Sequence, residues 1–287
     1  MDNLKGMAWM TLAMLAFALT DMTIIFTTGQ LPVAQILIFF GVGGAVLFAI
    51  WARVQGHRWW TEALLMRPVM VRNGAEAMAT VTFITALSLI PLSTLSAVIQ
   101  ANPLLVTLGA ALFLGEQVGW RRWTAIIVGL VGVLIILRPG TDSFDWNILW
   151  AVAAAIGLSL RDIATRPVPK TVPTTILASY SFAAVALAGA AMLPFSGGLV
   201  VPSAANVGFI AAGILMGMVA VFAITAAMRV GDISVVTPFR YTRLVFAFII
   251  ALVVFDETVD MLTVLGVVIV VATGLYSLWR ETRTRAA

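Results

Sequence analysis

The chain has 287 residues, 61% of them hydrophobic and only 10% charged, whereas a soluble domain carries about 25% charged residues. So little charge cannot cover a water-facing surface of this size, which excludes a soluble globular protein and makes lipid the solvent for most of the chain. The net charge of +4 does not point to nucleic acid either, because the basic residues punctuate the ends of apolar runs instead of gathering on one polar stretch.

A helix needs about 20 apolar residues to cross roughly 30 Å of hydrocarbon. The first apolar run, Met7 to Phe26, exceeds the roughly 7–15 residues of a signal-peptide core and has no clear small-residue cleavage site after it. It reads as a retained first span near 5–27. Nine more runs follow near 32–53, 67–90, 92–115, 121–138, 145–165, 174–194, 204–228, 233–255 and 260–280. Turn and charge signals separate them, among them Gln55-Gly56-His57-Arg58, Arg138-Pro139-Gly140 and Arg166-Pro167-Val168-Pro169-Lys170. With the N-terminus cytoplasmic, the inner segments hold Lys5, Arg53, Arg58, Arg67, Arg121, Arg122, Arg166, Lys170, Arg229, Arg280, Arg283 and Arg285. The outer loops hold Arg138 alone, beside Asp142, Asp145, Asp256, Glu257 and Asp260. That bias satisfies the positive-inside rule and would be scrambled by an error of one span early in the chain. The reading is an all-α integral membrane protein of ten transmembrane helices with both termini cytoplasmic. Trp59, Trp60, Trp120 and Trp123 fall at inner helix ends, where they suit interfacial anchoring.

The two halves align without gaps at an offset of 141 residues: Trp9 with Trp150, Asp21 with Asp162, Pro32 with Pro173, Ala86 with Ala227, Ser93 with Ser234, Glu116 with Glu257 and Val118 with Val259. Apolar matches are cheap, but Trp, Asp, Pro and Glu on one diagonal are not. A five-span unit repeated once must place its copies upside down relative to each other, because five is odd. The expected organisation is therefore two inverted five-helix repeats, 1–140 and 141–287, an architecture found among transporters.

The segments PLSTLSAVIQANP at 91–103 and LFLGEQVGWRRWTAIIVGLVG at 112–132, with VVFDETV at 253–259, resemble the EamA type of the drug/metabolite transporter superfamily. The resemblance spans the whole chain, and its most specific part is the pair of apolar helix ends closed by Glu116 and Glu257. It implies a five-plus-five inverted fold in a bacterial inner membrane, exporting small metabolites. Within the family the chain is most similar to bacterial amino-acid exporters. Riboflavin, nucleoside and S-adenosylmethionine carriers also belong there, so the resemblance leaves the substrate open.

Ionisable side chains inside spans cost about 2.5–3.5 kcal/mol each on insertion scales and usually face a cavity or one another. Asp21, Arg72, Glu76, Arg240 and Arg243 are such residues. Arg72 and Glu76, four apart, share a helix face. Either they pair with each other, with Arg72 snorkelling to the inner surface, or Glu76 faces a cavity and receives an amine or a proton. Arg240 and Arg243, three apart, also share a face and call for a carboxylate, a phosphate or a distant acid such as Glu76; an interhelical salt bridge is the structural alternative. The offset matches Gln100 with Tyr241 and Asn102 with Arg243 near mid-membrane, where carriers of this architecture bind substrate. Pro103 and Pro238 can open the backbone there. Gln100 and Asn102 can equally be interhelical glue. Asp21 and its mate Asp162 fit gating or helix capping, and Arg161, next to Asp162, is expected on a different face. Gly213 and Gly217 predict close helix packing.

The candidate substrate-binding residues are therefore Glu76, Gln100, Asn102, Arg240, Tyr241 and Arg243, with Asp21, Arg72 and Asp162 as candidates for coupling or gating. The chain has no cysteine and one histidine, His57, so disulfides, thiolate metal sites and a His/Cys metal cluster are excluded; no metal, other cofactor or catalytic set is implied. A secondary carrier working by alternating access and exporting aromatic or other neutral amino acids leads. In it an arginine meets the carboxylate and Glu76 the amine. A membrane-embedded lipid enzyme and a passive channel are the readings from other classes. Expected partners are a small-molecule substrate and membrane lipid, not nucleic acid, and the chain would act as a monomer or weak homodimer.

Overall fold

The computed structural model describes residues 3–113, 119–139, 145–169, 171–230 and 233–286. Helices dominate them: α1 Asn3–Ile25, α2 Val33–Val54, α3 Arg67–Leu89, α4 Leu92–Ile99, α5 Asn102–Phe113, α6 Trp120–Leu137, α7 Ile148–Thr165, α8 Thr174–Met192, α9 Ala204–Val230, α10 Ile233–Val236, α11 Thr242–Val254 and α12 Met261–Ala286. Among the described residues, seven helical stretches are long and apolar enough to cross a membrane: Asn3–Ile25, Val33–Val54, Leu92–Phe113, Ile148–Thr165, Thr174–Phe195, Ala204–Met228 and Thr237–Val254. Trp123–Leu137 and Met261–Ser277 are shorter apolar helices. At 23 residues, α3 is about 34 Å long at ~1.5 Å per residue, and it carries Arg67, Arg72 and Glu76. Lys170, Asp142, Glu116 and Val118 lie outside the described residues.

Prolines set several helix starts. Pro32 and Pro173 are the N-cap residues of α2 and α8, and Pro91 precedes α4; the fixed φ of proline and its missing N–H suit the first turn, where the N–H has no helical partner anyway. Two of the apolar runs are not continuous helices. The 92–113 stretch breaks at Gln100-Ala101 between α4 and α5, two residues before Pro103. The later run passes from α10 through a 3-10 turn, Thr237–Tyr241, into α11. Pro238 sits in that turn, where it cannot donate to the helical ladder.

Adding or subtracting 141 maps α1–α6 onto α7–α12, and the packing follows the map. Helix α1 packs on α9 as α7 packs on α3, α1 packs on α11 as α7 on α5, and α3 packs on α8 as α9 on α2. The α2–α8 and α6–α12 contacts map onto themselves. Each of these interfaces joins one half to the other, so the halves interleave and do not form separate globules. Close crossings use small residues, since lipid gives helices little hydrophobic reason to associate and intimate packing must do it. A Cβ on Gly157 would come within 2.8 Å of the Ala79 Cα, and one on Gly41 within 2.5 Å of the Ala186 nitrogen. The fully buried Ala220 and the nearly buried Ala16 are the counterparts of Ala79 and Gly157 at the α1–α9 crossing. Gly213 is likewise close-packed: its carbonyl accepts from Thr20 Oγ at 3.3 Å and an added Cβ would meet Thr23 Oγ at 2.5 Å.

Polarity runs from inside to outside. Val42, Val46, Ile50, Leu187, Leu215, Ile249, Val253 and Val268 are exposed, while Asp21, Asn73, Ser96, Gln100, Ser159, Ser179 and Ser181 are buried. A fold whose apolar side chains face out and whose hydrogen-bonding groups face in is suited to lipid.

Candidate substrate-binding site

The repeat places two acid pairs in equivalent positions. Arg243, the second residue of α11, donates from Nη2 to Asp21 Oδ2 on α1 at 2.8 Å. The arginine also lies over the rings of Phe17 and Phe83, 5.4 and 5.5 Å from their centroids. In the other half Asn102, the counterpart of Arg243, donates from Nδ2 to Asp162 Oδ2 at 3.1 Å, and Ser159 Oγ donates to Asn102 Oδ1 at 2.7 Å. Asp21 is buried inside α1 and caps no helix. Its carboxylate instead makes the ion pair across to α11.

A second cluster joins α3 to α7. Arg161 donates from Nε and Nη2 to Asp162 Oδ1 at 2.9 and 2.7 Å, and from Nη1 to Glu76 Oε2 at 3.3 Å. This corrects two expectations. Arg161 does not point away from Asp162, because its long side chain folds back over the neighbouring carboxylate. Glu76 pairs with Arg161 and not with Arg72, because the α3–α7 crossing brings Arg161 to its carboxylate. Arg72 donates instead to Thr165 Oγ at 3.1 Å, Asn73 Oδ1 at 3.3 Å, the Leu177 carbonyl at 3.4 Å and the Ser181 hydroxyl, tying α3 to α7 and α8 with neutral acceptors.

Arg240 is different. It is exposed, with Asp162 as its strongest charge attraction, and makes no hydrogen bond or ion pair among the described residues. An accessible guanidinium without a protein acceptor has donors to offer a solute. Tyr241, next in sequence, faces elsewhere: its hydroxyl sits against Gly274 of α12, in the space a Cβ there would take. That hydroxyl and the Gln100 amide nitrogen, at repeat-equivalent positions, are both buried without a hydrogen-bond partner among the described residues. The structure therefore gathers Asp21 with Arg243, and Glu76 with Asn102 and Asp162 through Arg161; it leaves Arg240 accessible and directs the Tyr241 hydroxyl to α12. A groove of about 580 Å³ between α2, α8 and α9, lined by Trp51, His57, Thr174, Phe222 and Thr225 among others, includes none of these charged residues.

The family model of EamA-like transporters matches the chain twice, over residues 4–138 and 145–278. The chain belongs to the EamA-like transporter family. A riboflavin transporter of Rhizobium johnstonii is 32% identical over 257 residues, covering 83% of this chain and 79% of that protein. An S-adenosylmethionine uptake transporter of Rickettsia prowazekii is 27% identical over 70% of this chain and 68% of its own length. A pseudopaline exporter of Pseudomonas aeruginosa is 26% identical over 94% and 95%. A solved crystal structure shares the fold, with a TM-score of 0.66 at 20% identity over 98% of this chain and 99% of that one. The chain is thus a membrane transporter of small molecules and not an enzyme.

Two features of this EamA-family chain escaped sequence reasoning. Arg161 was discounted because sequence neighbours on a helix point about 100° apart, a rule that ignores the reach of arginine. Glu257, known only as a repeat match, is a cap in trans. Its carboxylate accepts from the Leu92 N–H at 2.7 Å, the Ser93 N–H at 3.0 Å and the Ser93 hydroxyl at 2.6 Å. It thereby satisfies the orphan donors of α4 and meets the positive end of that helix dipole. The diagonal that pairs Ser93 with Ser234 and Glu116 with Glu257 carried that signal. At the same end of the bundle Asp260 caps α12 through the Leu262 N–H at 2.9 Å and the Thr263 N–H at 3.1 Å, and pairs with Arg138. Slight burial pushes its carboxyl pKa up, but hydrogen bonds from Thr263 and Arg138 outweigh this and hold it below 3.8.

Proposed function

We propose that this chain is a secondary carrier that exports small carboxylate-bearing metabolites, amino acids foremost, by alternating access. The α4–α5 and α10–α11 runs count as single broken spans in this reading. With α3, α6 and α12 as spans there are ten, both termini are cytoplasmic, the repeat boundary falls at 140/141 and the membrane is a bacterial inner membrane. The observation that carries it is the pair of repeat-equivalent acid contacts, Asp21–Arg243 and Asn102–Asp162, beside an accessible Arg240. Inverted repeats exchange conformations as they rock about a shared site, and a matched contact in each half gives the two states equivalent latches. Arg240 anchors the carboxylate, while Arg243 and Asn102 hold the latches. Sequence reasoning gave Glu76 the substrate amine; its pairing with Arg161 makes it a support of the site. The relatives' names include both uptake and export, so the direction rests on the resemblance to amino-acid exporters.

Counterflow in proteoliposomes tests the carrier, with amino acids, riboflavin and nucleosides as competing solutes. A saturable exchange that Arg240→Ala weakens in a folded protein is expected, and non-saturable flux would indicate a channel. The chain has no cysteine, so single cysteines at Gly119 and Val259 report topology without background. Labelling from opposite sides is expected, and labelling from one side would remove the inverted arrangement.

A further inference from the structure

Seven charged side chains lie within the described spans: four guanidiniums (Arg72, Arg161, Arg240 and Arg243) against three carboxylates (Asp21, Glu76 and Asp162). Every carboxylate is engaged. Asp21 holds Arg243, Glu76 holds Arg161, and Asp162 is shared by Arg161 and Asn102. Arg72 is satisfied by neutral acceptors at the α7–α8 side. Arg240 alone among these has its donors open to an accessible space, and no acid stands uncommitted to receive an ammonium group.

From this balance we propose that the transported solute carries one net negative charge, bound through a carboxylate on Arg240, and that a neutral zwitterion of the same shape is discriminated against. This narrows the carrier reading from amino acids in general to net anions, acidic amino acids among them, and rests on it. A zwitterion would bring an amine next to a site whose acids are already paired and whose excess charge is positive, and desolvating that ammonium would go uncompensated. A net anion neutralises the excess guanidinium, which offers a planar fork of donors matched to a carboxylate. Arg240 is then the specificity-determining residue, while Asp21 keeps Arg243 occupied and Glu76 with Asp162 keeps Arg161 occupied.

The test is counterflow by the full chain in proteoliposomes with two near-isosteric pairs, 3-phenylpropionate against phenylalanine and glutamate against glutamine. A charge-assisted hydrogen bond is worth about 1.5–3 kcal/mol, so the net anion of at least one pair should be preferred by about tenfold or more. Arg240→Gln should lower exchange of the net anion until that preference is gone, and Arg240→Lys should retain its sign. Equal or better exchange of the neutral partner in both pairs by the unaltered protein overturns the charge assignment and leaves the carrier standing. A preference that survives Arg240→Gln overturns the assignment to Arg240. Absence of saturable exchange for any solute, charged or neutral, overturns the carrier reading and this inference with it.

Discussion

The two halves put an acid contact at the same place and build it from different chemistry. In the half-to-half contact made by α1 and α11, Asp21 meets a guanidinium. In the one made by α7 and α5, Asp162 meets a carboxamide, and the guanidinium is supplied by Arg161 one residue away. The repeat thus dictates where a polar partner must stand, and each copy has chosen its own way to satisfy it. Removing one member of a buried ion pair leaves an uncompensated charge, whereas removing an amide leaves an acid that still has its arginine.

The largest effect should come from breaking the ionic copy. Asp21→Ala strands Arg243 and should lower stability by about 3–5 kcal/mol, read from thermal unfolding in detergent. Asp21→Asn with Arg243→Asn together should cost less than Asp21→Ala, because no charge is left unpaired; an equal or larger loss would show that the pair is not the source. The next test concerns the two broken spans. Gly274→Ala pushes a methyl into the Tyr241 hydroxyl and should cost about 1–3 kcal/mol by overpacking, with partial recovery in Tyr241→Phe. No recovery would mean the strain lies elsewhere on α12. Asn102→Ala, the amide copy, should lose about 1–2 kcal/mol, clearly less than Asp21→Ala; parity between them would erase the contrast drawn above.

The smallest effect belongs to the loop end. Asp260→Ala removes an N-cap worth about 1 kcal/mol, with its exposed pairing to Arg138 adding only a few tenths. Because the folded carboxyl titrates below its ordinary 3.8, its contribution is present at neutral pH and is lost as pH falls through that lowered value. The difference between parent and Asp260→Ala should therefore hold from neutral pH to about pH 4 and close below it, as melting curves over that range would show. A difference that persists at pH 2 would point to packing and not charge.

Much of the architecture was legible because lipid imposes simple rules. Span lengths, the prolines at 32, 91 and 173, and the 141-residue diagonal all reflect what one helix needs for itself. The sites of backbone distortion were legible too, since Pro103 and Pro238 lie beside the actual breaks. Partners were harder to read. Arg72 and Glu76 share a face by spacing, yet Glu76 finds Arg161 on α7 and Arg72 finds Thr165, Ser181 and the Leu177 carbonyl. Tyr241 and Arg240, adjacent in sequence and grouped as one site, part company: the Tyr241 hydroxyl lies against α12 and Arg240 stays exposed.

Composition, periodicity and the internal repeat by themselves determined that this chain lives in a bilayer, that its interior would be built from helices in two matched sets, and which ionisable residues would need company there. Those are properties of segments, and each segment carries them alone. Which acid holds which arginine, and which arginine is left open to a solute, was decided only when the halves interleaved. The reason is that α3 with α7, α1 with α11, and α4 with the Glu257 carboxylate meet across more than sixty residues of chain, and no local pattern encodes a contact whose two sides are chosen by packing.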